Sequence, residues 1–374
     1  MTRPAWAEID LGAVRANVSA IRKHLTPGTR YLAVVKANAY GHGDVAVAEA
    51  AVDAGAEWLG VILVDEAIRL RDAGIDAPIL LLHEPPPDRA ADVIAHRLTP
   101  SVFTEPGIAA LGDAAERAGA TLGVHLKVDT GLNRLGVPMD RLDDIARLLA
   151  KEPRLDVQAV FSHFAFADQP DNAFVDTQLE RYAEACQRLT ALGMTPPMRH
   201  MGNSAAALTR PDAHFDMVRV GIATYGLAPA PALADILPLR PALSLKCLVV
   251  QVKRVAAGEG VSYGLRYRLE RPGTIVSLPL GYADGWVRAL SGNASVLIGG
   301  AKHPTVGTVC MDSFMADIGD ATCEVGDEAV LIGTQGSERI TAEEVAGRMG
   351  TINYEVVTLL TRRLDRVYLN AADG

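Results

Sequence analysis

Tyr31-Leu32-Ala33-Val34-Val35-Lys36 is a short apolar run that stops at a lysine. Its length and its bounding residues read as a buried strand. Seven similar runs follow, at 58–62, 78–82, 99–103, 121–128, 157–162, 198–201 and 217–220. Amphipathic helical patterns separate most of them, for example at 45–54, 64–73, 105–118, 142–149 and 173–192. Strands that alternate with helices imply a parallel sheet, because each crossover needs a dozen or so residues. Eight such units in about 200 residues predict an α/β fold of the (β/α)8 TIM-barrel type. An open doubly wound sheet is the alternative, but no G-x-G-x-x-G follows the first run.

Upstream, 5–9 reads as a strand. It leads into a helix with Asp10 as N-cap and Leu11, Val14, Val18 and Ile21 on one face. Downstream, a Pro/Ala-rich stretch runs from Leu227-Ala228-Pro229-Ala230-Pro231 to Pro241. Beyond it the pattern turns to strands at 243–255, 273–278, 295–298, 304–310 and 328–332, with one helix at 342–349. The chain is therefore expected to form a cofactor-binding barrel over 1–241 and a β-rich domain over 242–374, with residues 1–10 a candidate to join the second domain.

The 374 residues suffice for two or three domains, and 49% hydrophobic with 22% charged residues is an ordinary globular mix. Thirty-six Lys and Arg against forty-five Asp and Glu leave a net charge of −9, which disfavours nucleic acid or an anionic membrane as a partner. No apolar run approaches the ~18 residues of a membrane helix, and the first ten residues lack a signal-peptide core. The scattered cysteines Cys186, Cys247, Cys310 and Cys323 form no C-x-x-C pair. Reduced thiols, a cytoplasmic location and no metal site are expected.

In a barrel of this kind the active site lies at the C-terminal strand ends. Lys36, His83, Lys127, Asp129, Arg134, His163, Asn203, Ser204 and Arg219 all fall at or just beyond such ends. Core packing does not require polar residues there. A lysine that closes an apolar strand is partly desolvated, which lowers its pKa and frees the amine to form a Schiff base. Ser204 and Arg219-Val220-Gly221-Ile222 follow the last two strands, where barrels often bind phosphate. The plain alternative for Ser204 is an N-cap of a helix at 205–208. A Schiff-base lysine with a phosphate cradle describes a pyridoxal 5'-phosphate site. Arg219 cannot accept a proton, so it would hold a pyridine nitrogen unprotonated and favour proton exchange at Cα over decarboxylation. Pairing of Arg219 with an acid such as Asp216 is the alternative. Arg134 could grip a substrate carboxylate with two hydrogen bonds.

Four segments together carry a family resemblance. They are Ala33-Val34-Val35-Lys36-Ala37-Asn38-Ala39-Tyr40-Gly41-His42-Gly43, Val261-Ser262-Tyr263-Gly264, Gly281-Tyr282-Ala283-Asp284-Gly285 and Thr351-Ile352-Asn353-Tyr354-Glu355. The sequence resembles the alanine racemase family over nearly its whole length. The resemblance implies racemisation of L- and D-alanine by two bases, Lys36 for the D isomer and Tyr263 for the L isomer, and a supply of D-alanine for peptidoglycan. It implies phosphate ligands at Tyr40, Ser204, Gly221, Ile222 and Tyr354, with Asn203 beside them. It makes Arg219 the pyridine partner, His163 the ring-stacking residue and His200 the support of Arg219. Arg134 and Met311 resemble the substrate-binding pair, with Asp312 and Tyr282 at the same mouth. Lys127 falls where members often carry a carbamate that steadies Arg134. A head-to-tail homodimer with shared active sites is implied, Tyr263 and Met311 reaching the partner's cofactor. Thr308 and Ser313 stand where larger polar residues are common, which leaves serine open as a substrate. The alternatives are a small-amino-acid racemase of broader range, a decarboxylase of the same fold and a cofactor-carrying binding protein.

Overall fold

Eight of the apolar runs become strands in the computed structural model, which describes residues 3–169 and 171–371. They are β1 (Arg30–Val34), β2 (Trp58–Val61), β3 (Ile79–Leu81), β4 (Thr99–Val102), β5 (Leu122–Asp129), β6 (Leu155–Phe161), β7 (Met198–His200) and β8 (Met217–Val220). Each pairs in parallel with the next, and β8 returns to β1 in the register Met217↔Arg30 to Val220↔Ala33. The sheet therefore closes, and the open doubly wound alternative is set aside. A parallel strand covered on both faces must be apolar throughout. Accordingly Tyr31, Leu32, Ala33, Leu59, Val61 and Ile79 are all buried. The intervening helices include Asp44–Asp53, Val64–Asp72, Glu105–Ala118, Leu142–Leu149 and Phe174–Ala191.

The described residues of 13–39 and 44–240 form one compact unit; those of 1–12, 40–43 and 241–374 form the other. The second unit is mostly β. Its N-terminal strand Ala5–Asp10 lies between Leu243–Leu248, antiparallel, and Asp365–Leu369, parallel. The run at 243–255 is two strands, Leu243–Leu248 and Gln251–Val255. The chain turns a corner between them: Val249 N–H donates to Asp327 O, whereas Val250 N–H donates to Ser277 O. The strand expected at 304–310 spans Ala301–Val306 instead. It stops there because Gly307 has φ +69°, a left-handed conformation outside the strand region. Strands Phe314–Gly319 and Asp365–Leu369 and the helix Asn353–Thr358 are additional to the sequence reading. No helix among the described residues is long and apolar enough to cross a membrane.

Candidate active site

Lys36 lies two residues beyond the end of β1, and the chain then makes a left-handed turn. Ala37, Asn38 and Ala39 have φ/ψ of 53/50°, 56/45° and 51/52°, and Tyr40 has φ 53°. Each non-glycine residue held this way costs roughly 1–2 kcal/mol. The turn persists because it is tied down. Ala37 N–H donates to Glu66 Oε1 at 2.7 Å and Ala39 N–H to Val35 O at 2.9 Å. The other carboxylate oxygen of Glu66 accepts from Ile62 N–H at 3.0 Å and Leu63 N–H at 3.1 Å, so the residue also secures the start of helix Val64–Asp72. Sequence reading passed over Glu66, whose only signal was a glutamate three residues into a helix start.

Burial lowers the pKa of the Lys36 amine, and Arg134 lowers it further, with Glu66 pulling the other way. Lys127, on β5, is buried among the same cations. Its Nζ donates to Leu82 O at 3.3 Å, and burial followed by Arg219, Arg134 and Lys36 pushes its pKa down to about 7. His83, half-buried beyond β3, is lowered first by burial and then by Lys127, Lys36 and Arg134. Arg134 itself is exposed and has no ion-pair partner among the described residues. The barrel mouth is thus strongly cationic, which suits an anionic ligand.

Arg219, on β8, is only 4% exposed. It donates to His200 Nδ1 at 2.8 Å, His163 Nδ1 at 3.0 Å, Ser162 O at 2.7 Å and Met201 O at 3.0 Å. Asp216 is occupied elsewhere, accepting from Arg199 N–H at 2.7 Å. No carboxylate pairs with Arg219 among the described residues. A guanidinium can only donate, so Nδ1 of both histidines must accept. Burial, followed by the Arg219 charge, holds both imidazoles well below the usual histidine range. They are therefore neutral, each with its proton on Nε2. His200 Nε2–H then donates to His125 Nδ1 at 3.1 Å, and His125 is pushed down to about 3 by burial and Arg219. His125 was not identified from sequence. His200 stacks on Phe161 at 4.7 Å and 6°, and the Arg219 guanidinium lies 5.2 Å from the same ring.

Ser204 Oγ accepts from Gly221 N–H at 2.9 Å and Ala223 N–H at 3.4 Å. The amides after β8 therefore converge on a hydroxyl whose own proton is free to donate. Ile222 lies between them. Asn203, not Ser204, is the N-cap of helix Ser204–Thr209, accepting from Ala206 N–H at 3.1 Å. Lys36, Lys127, Arg134, His163, Asn203, His200, Ser204, Arg219, Gly221 and Ile222 thus all belong to the barrel unit.

The second unit carries the other expected site residues. Tyr40 and Tyr354 lie with ring centroids 6.2 Å apart. Tyr263, Tyr282, Met311 and Asp312 line a cavity of about 430 Å³. Asp284, fully buried, accepts from Arg3 at 2.7 Å and from Gly281 N–H at 2.9 Å. Arg363 donates to Asp312 at 2.6 Å. Among the described residues no group of three or more His, Cys, Asp or Glu side chains could hold a metal ion.

The model of the alanine racemase N-terminal domain matches residues 9–229, and that of the C-terminal domain matches 242–368. This chain belongs to the alanine racemase family. Alanine racemase from Symbiobacterium thermophilum is 48% identical over 371 residues, covering 98% of this chain and 97% of that protein. Alanine racemase 1 from Bacillus subtilis is 42% identical, over 98% and 93% of the two chains. Among solved structures, alanine racemase from D-cycloserine-producing Streptomyces lavendulae superposes with a TM-score of 0.93 at 41% identity, over 98% and 97%. Alanine racemase from Bartonella henselae, solved with covalently bound pyridoxal phosphate, gives 0.89 at 29% identity, over 98% and 99%. The alanine racemase family is one of isomerases with a barrel and a separate, mostly-β C-terminal domain, the architecture described above.

Proposed function

We propose that this protein interconverts L- and D-alanine with pyridoxal 5'-phosphate, using Lys36 and Tyr263 as bases for opposite faces of Cα. The observation that carries this reading is the barrel's donor set. A lysine amine pushed toward neutrality, a buried arginine without a carboxylate, and amides converging on Ser204 together fit a group that is an aldehyde, a pyridine and a phosphate at once. Lys36 would hold the cofactor covalently. Ser204, Gly221 and Ile222 would hold its phosphate with Tyr40 and Tyr354, beside Asn203. Arg219 would face the pyridine nitrogen, with His163 against the ring. When bound, the cofactor supplies an electron sink that acidifies the substrate's α C–H.

The chain's own residues do the rest. Arg219, locked as a donor by His200 and His163, keeps the atom it faces unprotonated, which supports proton exchange over decarboxylation. Arg134 binds the substrate carboxylate and Lys36 Nζ moves the proton on one face. Tyr263 Oη serves the other face, supplied with Met311 by a second protomer in a head-to-tail dimer. Tyr263 is 77% and Met311 53% exposed, as groups committed to a partner would be. In that assembly the Arg219–His163 pair supplies the cationic neighbourhood a phenol needs to act as a base. Tyr282 and Asp312 line the entrance. The Lys127 amine, close to neutrality at physiological pH, can take up carbon dioxide; the resulting anion would steady Arg134. The four cysteines stand unpaired, which supports a cytoplasmic location, where D-alanine is needed for peptidoglycan.

The test is L-to-D conversion of alanine, serine and other small amino acids, read by chiral chromatography. Lys36→Ala should abolish both conversion and the cofactor's visible absorbance; unchanged turnover in that variant would end the reading.

A further inference from the structure

Tyr263 projects a ring that is 77% exposed. Little packs against it within the chain, so the main chain must set the direction of its phenol. That main chain is held in an unusual state. Ser262 has φ 66° and ψ −176°, a region occupied almost solely by glycine and costing roughly 1–3 kcal/mol for other residues. Two hydroxyls compensate. Ser262 Oγ donates to Thr308 O at 2.7 Å, and Thr308 Oγ1 donates to Tyr263 O at 3.0 Å. Thr308 is only 5% exposed. The two segments touch so closely that a Cβ on Gly307 would lie 2.7 Å from Ser262 Cβ and 2.8 Å from Val261 O.

We propose that Ser262 and Thr308 are positioning residues that clamp the main chain on both sides of Tyr263 and so aim its phenol. This rests on Tyr263 being one of the two bases. The clamp reaches the reaction only through Tyr263, so its loss should injure one face of Cα and spare the other.

The holoenzyme of each variant is assayed for racemisation and, separately, for exchange of the D-alanine α-proton in deuterated water, which needs only Lys36. For Ser262→Ala, kcat for racemisation should fall on the order of 100-fold with KM within about two-fold, as expected when a reacting group is misplaced by about 1 Å. Exchange on D-alanine should persist. Ser262→Gly accepts the backbone conformation without strain, so it should unfold no earlier than Ser262→Ala yet still lose about 10-fold in racemisation. Thr308→Val should act like Ser262→Ala, and Thr308→Ser should restore the wild-type rate. Folding is checked by the thermal midpoint and by cofactor absorbance. Racemisation within about two-fold of wild type in both Ser262→Ala and Thr308→Val overturns the proposal. Equal loss of racemisation and D-alanine exchange also overturns it, because the damage is then general. Tyr263→Phe separates the two levels. If it racemises normally, the two-base reading and the clamp fail together; if it is dead while both Ser262→Ala and Thr308→Val are normal, only the clamp fails.

Discussion

Glu66→Gln keeps the shape of the side chain but replaces one carboxylate oxygen with an NH2 and removes the negative charge. In the folded protein the carboxylate accepts three main-chain N–H groups, from Ala37 at 2.7 Å, Ile62 at 3.0 Å and Leu63 at 3.1 Å. A carboxamide can present its oxygen to one side only. Its best orientation keeps Ile62 and Leu63 and turns an NH2 toward Ala37 N–H, donor against donor. Each hydrogen bond to a charged group is worth about 1.5–3 kcal/mol, and an orphaned donor adds to the loss. The broken bond is the one that ties the strained turn Ala37–Ala39 to the barrel, so the turn should open by about 2–3 kcal/mol. At ~1.4 kcal/mol per factor of ten, the Ala37 amide should exchange with deuterium about 30- to 140-fold faster. The readout is hydrogen exchange on a peptide spanning 31–40, with a peptide from β6 as control. Loss of Glu66 also removes the neighbour that raises the Lys36 pKa, so the amine should react with pyridoxal phosphate down to lower pH. Unchanged protection of Ala37 would show that Glu66 does not hold the turn, and the account of Lys36 placement would fail with it.

Lys127→Met should be more stable than wild type at low pH in carbonate-free buffer. The lysine falls from 10.5 to about 7 on folding, so the unfolded chain binds more protons between those values. Wild-type stability therefore rises with pH through that window, and the penalty is complete below it. Unfolding free energies from urea titrations should differ by about a few kcal/mol near pH 6 and converge near pH 10; a constant gap would contradict the assignment. With 13C-labelled bicarbonate, wild type but not Lys127→Ala should show a new protein-bound carbonyl signal by NMR. Tyr182→Phe orphans two buried groups, since Tyr182 Oη donates to Val160 O at 2.7 Å and accepts from His200 N–H at 3.2 Å. It should cost about 2–4 kcal/mol in urea unfolding, and a loss below about 1 kcal/mol would refute that bookkeeping. Arg219→Lys replaces a fork that reaches two imidazoles and two carbonyls with a point charge that cannot span them. Histidine 15N shifts should then show His163 no longer fixed with its proton on Nε2.

The local pattern of the chain is enough for the eight barrel strands and for the candidates at their ends. Burial on both faces demands runs such as 31–35 and 217–220, and crossovers demand the helices between them. Local patterning did less in the second unit. Phe314–Gly319 alternates buried with half-buried residues over only a few positions, too short a pattern to separate from loop, and Asp365–Leu369 buries no residue fully, so it carries no such pattern. The corner at Val249–Val250 is invisible until the two partner strands are known. The motif residues Lys36, Arg219 and Tyr263 could be named from sequence, but the groups that hold them could not. Glu66 meets Ala37 across 29 residues, His125 meets His200 across 75, and Ser262 meets Thr308 across 46. A hydrogen bond depends on where two groups lie in space, and no periodicity records that. Only the folded chain decides which glutamate bears a strained turn, which nitrogen of each histidine carries its proton, and which hydroxyls grip the tyrosine.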